Sequence, residues 1–133
     1  MSGPAKTGIL FYAHDIAKVS SFYKQLLSAT LVHSDDEHHV LESPDVQLII
    51  YRMPKPYLNQ VVIEIPPIPR EEQAIKPFFT VDNLASAEHL VREAGGLVWG
   101  PVWSVLGINV RNVCDPEGNI VHLREINTTP PSH

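Results

Sequence analysis

Hydrophobic positions along the chain fall into two matching stretches. Between residues 8 and 13, Ile9, Phe11 and Ala13 alternate with Leu10 and Tyr12, the period of a β-strand. Asp15 then occupies a helix N-cap position, and Ile16, Val19, Tyr23 and Leu26 recur at offsets of 3, 7 and 10, one face of a helix ending near Leu27. The pattern returns 68 residues later. Pro77, Phe79 and Val81 alternate with Phe78 and Thr80, and Asn83 takes the cap position. Leu84, Ala87, Val91 and Ala94 repeat the offsets, and Gly95-Gly96 stops the helix. A strand, cap and helical stripe repeated at one offset predict an internal duplication.

Short apolar runs follow each helix. Strands are predicted over 30–33, 38–41 and 46–51 in the first half, and over 97–102, 108–113 and 120–124 in the second. Turn residues separate them: Ser34-Asp35-Asp36, Ser43-Pro44-Asp45, Leu106-Gly107 and Asp115-Pro116-Glu117-Gly118-Asn119. The prediction is a single α+β domain over 1–133, made of two tandem βαβββ modules at about 8–52 and 75–125. A linker over 53–74 carries Pro54, Pro56, Pro66, Pro67 and Pro69. Its middle, 57–65, is β-branched enough to be an extra strand, whether an edge strand, a dimer arm or a flap. The tail over 127–133 reads as frayed.

Composition narrows the function classes. A chain of 133 residues fits one domain, and 44% hydrophobic with 19% charged residues is ordinary for a globular protein. The net charge of −5 argues against nucleic acid and favours a neutral or cationic small ligand over an anionic one. The single cysteine, Cys114, allows no internal disulfide, and no stretch approaches the ~20 apolar residues of a membrane span. With no leader-like run near the start, a cytoplasmic protein with no membrane partner is expected.

One ordered set of residues carries a family resemblance. It comprises Asp15 with Phe22-Tyr23 and Leu26-Leu27, Val81-Asp82-Asn83-Leu84, Gly95-Gly96, and Asp115-Pro116-Glu117-Gly118-Asn119. At these spacings, over about 8–125, the chain resembles the vicinal-oxygen-chelate superfamily. That group includes glyoxalase I, extradiol dioxygenases, and fosfomycin- and bleomycin-resistance proteins. The resemblance implies curved sheets around a cavity, with helices on the convex side. Ile9, Phe11, Ala13, Pro77, Phe79 and Val81 would face the helices, and Gly8, Leu10, Tyr12, Lys76, Phe78 and Thr80 the cavity.

It also implies four metal-ligand positions, at the first and last strand of each module. Here these fall on Gly8, Lys76, a place at or near Ile49, and His122. Only His122 is a competent ligand, and a zinc site needs at least three. No metal and no other cofactor is therefore expected. His122 becomes a candidate acid-base or hydrogen-bonding group.

Lys76, pairing with a ligand carboxylate or with Glu125 or reaching the rim, joins Tyr12, Phe78, Trp99, Trp103 and Arg124 as candidate ligand-binding residues, with Tyr51 as further aromatic surface. Arg111 is a second candidate source of charge near His122. His38-His39 beside Asp35, Asp36 and Glu37 reads as a solvated hairpin, because adjacent strand residues face opposite ways. Cys114 reads as a buried structural thiol. The expected function is a homodimer that binds a small organic molecule without a conventional metal centre. The alternative is a lyase, isomerase or dioxygenase, metal-dependent or using His122 and Tyr12 for acid-base chemistry.

Overall fold

A computed structural model describes residues 5–126; the tail over 127–133 lies outside them. Two four-stranded mixed sheets follow one another along the chain. Strand β1 (Gly8–Ala13) leads into helix α1 (Ile16–Leu27), and β2 (Thr30–Ser34), β3 (His38–Glu42) and β4 (Gln47–Arg52) complete the first sheet. The order is β1-β4-β3-β2, with β1 parallel to β4 and the other pairs antiparallel. In the second half β5 (Phe78–Thr80) precedes helix α3 (Leu84–Glu93). Strands β6 (Leu97–Val105), β7 (Ile108–Cys114) and β8 (Ile120–Ile126) then give the order β5-β8-β7-β6. The α+β arrangement of two βαβββ units is the one the hydrophobic pattern predicts.

Both predicted caps operate. The Asp15 carboxylate accepts from Lys18 N, and the Asn83 side chain accepts from Ser86 N. The helical stripes meet the inner faces of the sheets in one core. Val19, Phe22, Tyr23 and Leu26 of α1 and Leu84, Ala87 and Val91 of α3 pack with Phe11, Ala13, Leu41, Leu48, Ile50, Phe79, Val113, Val121 and Leu123. Leu10, Tyr12 and Phe78, at the alternate positions, stay exposed on the opposite, open face. Strand β5 is shorter than predicted. Pro77 has no N–H for the ladder, although its carbonyl still accepts from His122 N.

The linker corrects one expectation. No strand forms over 57–65. Instead α2 (Lys55–Leu58) is a single helical turn with proline in its first positions, and coil follows. A β-branched run needs a partner strand, and the prolines on both sides deny it a ladder. The end of the linker is nevertheless held. Arg70 N donates to Gly118 O, and the Gln73 side-chain amide pairs with both N and O of Ile120, continuing the ladder at the head of β8. Gly118, at φ +87, lies so close to the Ile68 carbonyl that a Cβ would overlap it.

The Asp115–Asn119 turn joins the halves. Buried Asp115 accepts from Glu117 N and Asn119 N on one oxygen, and from Asn119 Nδ2 and the Tyr23 hydroxyl on the other. Glu117 reaches back across the molecule, its two carboxylate oxygens accepting from His14 N and Asp15 N, each at 2.8 Å. A carboxylate at the N-terminus of α1 suits both the unpaired N–H groups and the helix dipole. Glu125 does the same for α3, accepting from Leu84 N.

Candidate functional site

The open face of the second sheet gathers most of the candidate residues, and strand register explains how. Phe78 pairs with His122, His122 with Asn112, and Asn112 with Trp99. The next rung in register runs Thr80, Arg124, Val110, Trp103. Side chains along both rungs point away from the helices. Between the two tryptophans β6 carries a bulge, with Gly100 at φ +75 and Pro101 beside it. The bulge keeps the parity of the strand, so Trp99 and Trp103 share this face as expected.

Contacts run diagonally between the rungs. The Trp103 and His122 rings meet edge to face at 5.3 Å between centroids. The Arg124 guanidinium lies 3.9 Å from the centre of the Phe78 ring. Arg124 Nε is buried without a hydrogen-bond partner, and among the described residues neither Arg124 nor Lys76 has a carboxylate partner. Burial, and then the charge of Lys76, hold the His122 pKa below its ordinary value, so the imidazole is neutral at pH 7.

Two sequence expectations need correction here. Arg111 faces the other way: its guanidinium pairs with Glu88 of α3 at 3.1 Å, on the helix side. Glu125 caps α3 and is not a partner for Lys76. Tyr12 stands on the open face of the first sheet, paired with Tyr51. Cys114 is fully buried, and burial together with Asp115 pushes its thiol up to about 12, so it is no nucleophile at neutral pH.

The four conventional metal positions do fall at equivalent places. Ile49 lies opposite Leu10, and His122 opposite Phe78, the residue 68 positions beyond Leu10. Their chemistry does not fit a divalent metal. Gly8 and Ile49 offer no side-chain donor, and the positive charge of Lys76 already bears on the sole competent ligand, His122.

A cleft of about 820 Å³ opens beside the cluster, between Thr7, Ile9 and the end of α1 on one side and residues 76–82 on the other. It shares Lys76, Phe78 and Thr80 with the open face, but His122, Arg124 and the tryptophans lie outside its lining. A second group lies on the hairpin that the sequence reads as solvated. His33, Asp35 and His38 come together at the β2–β3 hairpin, while His39 faces away.

Solved structures share this architecture. A glyoxalase/bleomycin resistance protein/dioxygenase family enzyme from Burkholderia phytofirmans PsJN superposes with a TM-score of 0.69 at 16% identity, over 92% of this chain and 98% of that one. TioX from Micromonospora sp. ML1 gives 0.64 at 13% identity, over 93% and 99%. A bleomycin resistance determinant encoded on the transposon Tn5 gives 0.59 at 16% identity, over 90% and 96%. No protein-family model matches the sequence, and no curated protein does. The chain therefore has the glyoxalase/bleomycin-resistance/dioxygenase fold, the fold its duplicated pattern and closing turn predicted. At these identities the likeness concerns fold, and function has to come from the site.

Proposed function

We propose that the protein binds a small, flat organic molecule carrying an anionic group on the open face of the second sheet, without a conventional metal centre. The observation that carries this reading is the pairing of Arg124 with Phe78. A cation stacked on an aromatic ring, with a buried N–H unused and no carboxylate beside it, is a ready receptor for a carboxylate or phosphate on a planar ligand. Lys76 adds a second positive charge, and Trp103 and neutral His122 add an aromatic wall and a hydrogen-bonding group. Local charge thus outweighs the overall net charge, which by itself favours a neutral or cationic ligand.

Exposed apolar residues on the open faces of both sheets support the expected homodimer. Leu10, Tyr12 and Phe78 remain 48%, 53% and 54% exposed, and a second copy would cover them and close the pocket. The enzyme alternative draws on the place of His122 on the open face, edge to face with Trp103, where burial and the charge of Lys76 favour its unprotonated form.

Calorimetric titration with 2-naphthoate and its uncharged amide tests the binding reading. The carboxylate should bind the wild-type chain, and Arg124→Gln should weaken it by about tenfold or more, the loss of one charge-assisted pair. Equal affinity for acid and amide, or an unchanged affinity in Arg124→Gln, would overturn it.

A further inference from the structure

We propose that His33, Asp35 and His38 form a binding site for one divalent transition-metal ion of the zinc class, on the edge hairpin of the first sheet. The site is separate from the positions where the fold conventionally holds a metal, and it does not depend on the ligand-binding proposal above.

The sequence builds the site by local rules. Strands β2 and β3 form a hairpin whose register shifts between Leu31 and His33, so that His33 lies opposite Val40. Val40 and His38 are alternate residues of β3, so both histidines point to the open face. Asp35 sits in the connecting turn. Its Oδ1 accepts from Glu37 N and His38 N, each at 2.8 Å, and its own N–H donates to His38 O. The carboxylate is therefore oriented by the backbone before any ligand arrives.

The donor atoms converge. Asp35 Oδ2 is 2.7 Å from His33 Nε2, and Asp35 Oδ1 is 3.2 Å from His38 Nδ1. One donor atom from each residue lies within 4.8 Å of the others. The two imidazoles stack at 4.6 Å, and the outer face of His38 stacks on Tyr51 at 4.9 Å and 10°, which fixes its ring. His38 Nδ1 is buried and makes no hydrogen bond. An unused imidazole nitrogen beside a pre-oriented carboxylate and a second imidazole is the environment a metal ion satisfies.

Ligand chemistry selects the ion. Two imidazoles and one carboxylate are the minimum protein set for zinc and leave a position for water or another ligand. Nitrogen donors disfavour magnesium and calcium, which prefer oxygen. Binding through His33 Nε2 replaces its contact with Asp35, and the ring proton then sits on Nδ1. Half-exposed His33 and Asp35 give the ion a route in from solvent.

The test is calorimetric titration of the chelator-treated full chain with zinc chloride, with cobalt(II) absorption spectra as a second readout. Wild type should bind one ion per chain and melt at a higher temperature with zinc than without it. His33→Ala should weaken binding by at least about tenfold. Asp35→Asn keeps an acceptor for the turn N–H groups, so it should fold while binding zinc equally poorly. His39→Ala should bind as wild type does. The proposal is overturned if wild type binds no zinc, if magnesium displaces it, or if His39→Ala or His122→Ala abolishes binding while His33→Ala does not.

Discussion

Removing the carboxylate of Glu117 should destabilise the whole fold, although the residue lies in a turn. Its side chain is 5% exposed and accepts two backbone hydrogen bonds from residues more than a hundred positions away. Glu117→Ala leaves the N–H groups of His14 and Asp15 without acceptors at the start of α1. Each partly buried unpaired donor costs about 1–3 kcal/mol, and the lost helix-dipole contact adds a few tenths. Against this stands the relief of a buried charge. Burial raises the Glu117 pKa despite the two donors, and Asp115 pushes it the same way, so the hydrogen bonds do not fully offset desolvation. The net loss expected is about 2–3 kcal/mol, and about 1 kcal/mol for Glu117→Gln, which keeps one acceptor and no charge. Urea unfolding at constant m-value measures both.

The sign of the pH dependence follows from the same shift. The folded state holds the Glu117 proton more tightly than the unfolded chain does. Its contribution to stability is thus full below the unfolded pKa and is lost as pH rises through the folded one. Glu117→Gln should flatten that decline, leaving the part due to Asp115, whose pKa burial also raises. A Glu117→Ala variant within about 0.5 kcal/mol of wild type, the range of an ordinary surface substitution, would refute the reasoning.

Other expectations concern the site and its supports. Lys76→Gln should raise the His122 pKa towards its ordinary value, since Lys76 is one of the two causes holding it down, and an NMR titration of the imidazole reads this directly. Gly96→Ala should cost about 1–3 kcal/mol in thermal or urea unfolding, because a Cβ there would press on Phe22, Val91 and the Cys114 carbonyl. Cys114 should not react with a disulfide reagent in the native protein at pH 8 and should react fully once urea unfolds it.

Much of the fold was legible because short-range rules fix it. The caps Asp15 and Asn83 and the two helical stripes needed only local periodicity, and tertiary packing agreed with them. The facing of the candidate residues was legible in part. His122, Arg124, Phe78 and the tryptophans follow from alternation along single strands. Arg111 does not, because the run Ile108 to Cys114 alternates imperfectly and its facing is set by pairing with β8. Nor could periodicity show that Glu117 and Glu125 are occupied at helix N-termini, contacts made across 102 and 41 residues. The 57–65 segment misled for the opposite reason: its strand propensity is real, but among the described residues no strand pairs with it. The His33–Asp35–His38 group was hidden by a register shift in β2, which decides the face His33 takes.

Both tryptophans of the chain stand on the proposed ligand face, so their side-chain N–H resonances report on it without labelling by mutation. An NMR titration with 2-naphthoate, run in parallel with its neutral amide, is the most direct test of the central claim. The account predicts that the Trp99 and Trp103 indole signals and the His122 ring shift together with the carboxylate and hardly at all with the amide. Shifts confined to the first sheet or to the neighbouring cleft, or indole signals unmoved at saturation, would contradict it.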